Sequence, residues 1–268
     1  MDYGFIDGMM ICEDEDILHK GFARVLDFNL TARGKHDFSL KTVQFQKTLV
    51  NEEMEELMEA IFARDRTEVI DALCDLFVVG TYWHFLAKMN DYLEGVGEDE
   101  LHNTREGSLR RSMYQMVEED SVREVEDYLA SGRFGGESPG YLVSRLKDSI
   151  DSDFSHTAVT LIAELLRSLN FDHETALNQV LSSNDSKLPK YAELKSELDN
   201  LLGDGLIDFN TAAEELVLSV QAELLNSEHA GRYEGITGSL LNGRAVFKDS
   251  NGKIMKPCTF FQPKLENL

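Results

Sequence analysis

The chain has 268 residues, enough for a sizeable core in one large domain or two small ones. Hydrophobic residues make up 42%, too many for wholesale disorder, and only four prolines interrupt the helices it can form. The formal net charge of −23 repels nucleic-acid backbones and anionic lipid headgroups. It excludes both as general partners and suits metal cations, or an anionic small substrate where cations intervene.

Cys12, Cys74 and Cys258 are odd in number and widely spaced, so neither a disulfide framework nor a zinc knuckle is expected. The N-terminus lacks a basic stretch followed by an apolar one, so no signal peptide is expected. The most hydrophobic segment, CDLFVVGTYWHFLA, is interrupted by Asp75 and His84, and no uninterrupted membrane-length run is found. The expected location is the cytoplasm.

Residues 1 to about 38 are mixed and allow short helical pieces. From about 40 to 64, Val43, Lys47, Val50, Met54, Leu57 and Ile61 recur at steps of three and four, which predicts a helix. RDRT at 64–67 predicts a short break, with Thr67 as N-cap of a helix reaching about Asn90. Glu68 then sits in the positive first turn. So short a connection predicts an antiparallel helix hairpin. Residues 93–107 read as a loop, 108–131 as a helix, and SGRFGGESPG at 131–140 as a break. Helices follow at about 141–150, 155–169, 173–182, 190–203 and 208–227, with SNDSKLPK at 183–190 as a polar loop. The tail GRAVFKDSNGKIMKP has β-prone runs around Asn251-Gly252, a dipeptide suited to a tight hairpin turn. The fold expected is all-α: a helical bundle built on an antiparallel acidic helix hairpin, with a short C-terminal β-hairpin-like tail.

The hairpin carries the chemistry. Residues 52–59 hold five glutamates, and Glu68, Asp71 and Asp75 follow. Glu53 and Glu56 share a helix face, with Glu52 at its edge; Glu52 and Glu55 read as ExxE in a second register. Glu68, Asp71 and Asp75 form one face of the next helix. Like charges at these spacings destabilise a helix by a few tenths of a kcal/mol per pair, a cost a hard divalent cation relieves. The alternative is a solvated acidic face. Against it, Asp71 and Asp75 lie among apolar neighbours, where a carboxylate needs a partner. No lysine occurs between Val50 and Lys88, so a local salt-bridge network lacks cations. On spacing and surroundings together the two readings are evenly matched. A ferritin-like di-iron site wants Glu-x-x-His, and none of the seven histidines has a glutamate three residues before it. An all-oxygen donor set points to Mg²⁺, with Mn²⁺ as substitute.

EEMEEL at 52–57 followed by EVIDALCDLFVV at 68–79 resembles the EExxE…ExxD signature of the MazG-like all-α nucleoside triphosphate pyrophosphohydrolases. VLSSNDSK at 180–187 and VFKDSNGKIMKPCTFFQPKL at 246–265 are similar to segments of the bacteriophage-type members. The resemblance implies a Mg²⁺-dependent enzyme that cleaves a (d)NTP between the α and β phosphates, giving monophosphate and pyrophosphate. It implies Glu53, Glu56, Glu68 and Asp71 as metal ligands, Glu52 and Asp75 as outer ligands, and Glu53 or Glu56 as proton acceptor. It further implies Asn184 and Lys187 as substrate-binding residues; Lys253, Lys256 and Lys47 are candidates for the remaining phosphate charge, against the alternative of solvated lysines. His36 and Trp83 are weighed as base-stacking groups, Trp83 more readily as core. The organisation expected is one domain over 1–268, with inserted helices at about 91–155 and 190–232 and a tail at 233–268. Because a lone hairpin seldom buries its apolar face, a homodimer is expected. The rival reading is a non-catalytic helical interaction protein that keeps an acidic metal-binding face.

Overall fold

The computed structural model describes residues 17–95, 137–202 and 213–268. Their helices are α1 (Ile17–Arg33), α2 (Leu40–Ala63), α3 (Arg66–Gly95), α4 (Pro139–Asp151), α5 (Ser155–Ser168), α6 (His173–Ser186), α7 (Tyr191–Leu202) and α8 (Glu214–Glu228). Two strands, β1 (Thr237–Leu241) and β2 (Arg244–Lys248), complete them. The architecture is all-α with a small antiparallel hairpin near the C-terminus, as the helical periodicities predict. The helix expected at about 108–131 lies outside the described residues. The chain divides into two compact units, one of residues 1–26, 37–180 and 264–268, the other of 27–36 and 181–263.

In the first unit the acidic hairpin forms as expected, with a tighter connection. Ser39 caps α2, its hydroxyl accepting from the Thr42 amide. The apolar stripe Val50, Met54, Leu57, Ala60 and Ile61 is buried. The helix stops at Arg64, which turns left-handed at φ 57°. The Arg64 and Asp65 amides then return to the Ile61 and Ala60 carbonyls and satisfy the helix end. Asp65, not Thr67, caps the next helix: its Oδ1 accepts from the amides of Thr67 at 3.0 Å and Glu68 at 3.2 Å. One residue thus ends one turn and begins another, which is why the break is shorter than RDRT. Asp65→Ala is expected to cost about 0.5–2 kcal/mol, read as a lower midpoint in thermal unfolding.

Helix α3 is buried nearly all round, through Val69, Leu73, Leu76, Phe77, Tyr82, Trp83, Phe85 and Leu86. It is long and apolar enough to cross a membrane, but its side chains are mostly buried in the fold, the pattern of a core helix. It packs on α2 along one side and on α5 along another, and α4 packs on α5. A Cβ at Gly80 would come within 3.1 Å of Ile162 Cδ1, so glycine lets α5 approach closely. Trp83 is 2% exposed, a core residue.

In the second unit, α8 and the hairpin bury Val217, Leu225, Ile236 and Phe247 with Leu194 and Leu198 of α7. Asn226 pins the start of β1, bonding both backbone groups of Ile236. The strands pair from Thr237 with Lys248 to Leu241 with Arg244, leaving Asn242 and Gly243 as the turn. Both have positive φ, 52° and 77°, as a type I′ turn requires. The turn between β1 and β2 is therefore Asn242-Gly243, and Asn251-Gly252 forms a second reversal after β2, where Lys248 bridges Ile254 antiparallel and the Asp249 amide donates to the Lys253 carbonyl. There Asp249 Oδ1 accepts from the Asn251 and Lys253 amides. The polar loop expected at 183–190 is also shorter, because α6 continues to Ser186.

Candidate active site on the acidic helix hairpin

The relative placement of the acids follows from one hydrogen bond. Gln46, buried on α2, donates from Nε2 to the Val79 carbonyl at 3.1 Å. Each residue lies several turns from the connection, so they can meet only if the helices run antiparallel. Both helices rise equally per residue. Stepping seven residues from each towards the connection brings Glu53 level with Ala72, beside Asp71 and within a turn of Asp75. By the same register Glu56 stands level with Val69, next to Glu68.

The acids differ in burial. Glu53, Asp71 and Asp75 are half-buried; Glu52, Glu56 and Glu68 are exposed, as are Glu55 and Glu59. Glu53 borders the buried stripe between Val50 and Leu57, whereas Glu52 points away from it. The structure thus separates the two ExxE registers by burial. Asp71 and Asp75 act on the core electrostatically: burial pushes the Cys74 thiol well above its usual range, and the charges of Asp75 and Asp71 push it further.

The donor chemistry fits a hard divalent cation, since every candidate ligand is a carboxylate oxygen. Among the described residues no three His, Cys, Asp or Glu side chains converge as a ready-made metal cage. Mg²⁺ does not need one: it usually keeps several waters and takes one or two carboxylates together with substrate phosphates. Glu53 with Asp71 or Asp75, and Glu56 with Glu68, are the pairs whose levels match.

Lys47 lies two turns before Glu53 on α2, and its Nζ is bonded to Asp153 Oδ1 at 2.5 Å. Asp153 occupies the α4–α5 turn in the left-handed region, φ 62°. Nothing in the sequence pointed to this partner, because the two residues are far apart in the chain and meet only when α4 and α5 fold back.

The remaining predicted substrate-binding residues belong to the second unit. Asn184 is buried, and its Oδ1 accepts from Lys187 Nζ at 2.5 Å. Lys187 and Lys256 both stand over the Phe260 ring, at 5.9 and 4.5 Å from its centroid. Three hydrogen bonds hold that tail to the end of α6: Ser183 Oγ to the Phe261 carbonyl, Thr259 Oγ1 to the Ser186 carbonyl, and the Phe261 amide to Ser186 Oγ. The SNDSK segment therefore meets the Thr259–Phe261 stretch that follows GKIMKP, and Lys187 and Lys256 share the Phe260 ring. Lys253 does not join them; it lies over the Tyr233 ring at 5.1 Å. Beside Phe260, a cavity of about 920 Å³ opens between α6, α7 and the tail, lined among others by Asp185, Ser186, Glu197 and Arg244. His36 is half-buried in this unit and held neutral, its pKa lowered to about 4 by burial and by Arg33.

Residues 20–92 match the family model of phosphoribosyl-ATP pyrophosphohydrolase. That family belongs to the MazG-like all-α NTP pyrophosphohydrolase superfamily. Residues 20–92 are a MazG-like domain. The match spans roughly a quarter of the chain. No curated protein and no solved structure matches. The MazG-like domain comprises most of α1, all of α2 and all but the end of α3, and so contains Lys47 and every acidic candidate. Asn184, Lys187, Lys253 and Lys256 lie beyond it.

Proposed function

We propose that the acidic hairpin is the active site of a Mg²⁺-dependent hydrolase that converts a nucleoside triphosphate to the monophosphate and pyrophosphate. The observation that carries this reading is that the segment matching a pyrophosphohydrolase family is the one that folds into facing acidic helices, with Glu53, Asp71 and Asp75 half-buried within a turn of one another. Mg²⁺, with Mn²⁺ as substitute, would supply charge neutralisation for the triphosphate and activation of water at this face. Glu53, Glu56, Glu68 and Asp71 hold the cation in this reading, with Asp75 and Glu52 as outer groups. Glu53 is the favoured proton acceptor: it is less solvated than Glu56, and a carboxylate at the edge of a packed stripe is held in one orientation. Lys47, on the same helix as Glu53, is the candidate for phosphate oxygens in the first unit.

A substrate panel tests the reading. The full chain with Mg²⁺ is given NTPs, dNTPs and phosphoribosyl-ATP, the compound named by the matched family. Pyrophosphate release from at least one is expected, and its loss on chelation of the metal. No release from any, with no change in melting temperature on adding Mg²⁺ and a non-hydrolysable analogue, would leave the helical interaction protein as the better account.

A further inference from the structure

On α3, away from the acidic face, two imidazoles meet where α5 begins. His84 is 2% exposed. Its Nδ1 lies 3.2 Å from Ser155 Oγ, and its ring centroid 5.8 Å from that of His156. Its Nε2 is buried and makes no hydrogen bond. The charges it feels are Lys88, one turn along α3, and His156 across on α5. Both are basic.

Among the described residues, the carboxylates next to the elements packed on it are engaged elsewhere. On α2 the hairpin register sets the exposed Lys41 level with His84. Asp153, two residues before Ser155, is 74% exposed and bonded to Lys47. Asp37, next to the Phe38 that packs on Phe85, bonds Ser39 and Thr42. The first turn of α5 also lacks a side-chain cap, because Phe154 at the N-cap position cannot accept a hydrogen bond. The Ser155 contact to His84 is thus one of its few polar anchors.

We propose that His84 and His156 form an acid-sensitive latch between α3 and α5, closed while His84 is neutral and released when it takes a proton. A proton on His84 would be a buried cation between two basic groups, with one N–H lacking an acceptor. Burial first, then His156 and Lys88, lower its pKa from 6.5 to about 3 in the folded protein. In the unfolded chain the ring titrates normally. The unfolded state therefore binds the proton first as pH falls. The latch contributes fully above the unfolded pKa of 6.5 and loses strength from there down to about 3.

The test is thermal unfolding of the full chain between about pH 7.5 and 5, wild type against His84→Gln, with amide hydrogen exchange over residues 155–168. Groups that titrate in both proteins cancel in the difference. Between about pH 7.5 and 5 the unfolding constant of the wild type is expected to rise about thirtyfold more than that of the variant. The α5 amides, corrected for intrinsic rates, should lose protection on acidification before those of α2. Equal pH slopes in the two proteins would overturn the latch. Should the variant fail to fold, the wild-type imidazole followed by NMR decides: a His84 ring that stays neutral to about pH 5 in the folded protein supports the latch, and one that titrates near 6.5 overturns it.

Discussion

Glu53→Gln is expected to lower kcat for pyrophosphate release by about 10²–10⁴-fold while leaving the far-ultraviolet circular dichroism unchanged. The amide keeps the volume and the helix propensity of the side chain but neither binds a cation as a carboxylate does nor takes a proton from water. Glu53 borders the buried stripe of α2, so an isosteric change leaves the packing of Val50, Met54 and Leu57 in place. Asp71→Asn on the facing helix should behave alike. The contrast is Glu55→Gln and Glu59→Gln, exposed positions outside the proposed ligand set, for which changes under about two-fold are expected. Glu52→Gln discriminates the two ExxE registers: a loss as large as that of Glu53→Gln would mean that burial has misidentified the ligand. A near-normal rate in Glu53→Gln or Asp71→Asn would remove that residue from the site.

Trp83→Ala is expected to destabilise the first unit by about 3–5 kcal/mol, through lost burial and the cavity left behind. Trp83 is 2% exposed and among the largest fully enclosed side chains, on a helix that packs against both α2 and α5. In a chain of this size such a loss lowers the melting temperature by roughly 10 °C. The same experiment separates a core role for Trp83 from base stacking. A stacking tryptophan would raise KM and leave the melting temperature in place; a core tryptophan does the reverse. A shift of under about 2 °C would show that the ring is not the packing element its burial implies.

Local and periodic features are legible in the sequence. The steps of three and four from Val43 to Ile61 give a helix because one face must meet a core. ExxE and ExxD place acids on single faces because a helix repeats every 3.6 residues. The order of acidic halves with a short connection was enough to indicate the superfamily that residues 20–92 match. Turn chemistry was read less well. Asn251-Gly252 and Asn242-Gly243 are the same dipeptide and both reverse the chain, but only strand pairing with Thr237–Leu241 shows that the longer ladder closes at Asn242-Gly243. Thr67 and Asp65 are both good caps by type, and the left-handed Arg64 selected Asp65 by aiming it at the free amides.

What the sequence determined by itself was the all-α class and the acidic hairpin with its candidate ligands, because helix periodicity and side-chain charge are properties of neighbours along the chain. The tertiary structure decided the rest. It set Glu53 apart from Glu52, bound Lys47 to Asp153, gathered Lys187 and Lys256 on Phe260, and enclosed His84 against His156. Burial and charge partnership across distant segments depend on how helices pack, and no spacing within one helix encodes them.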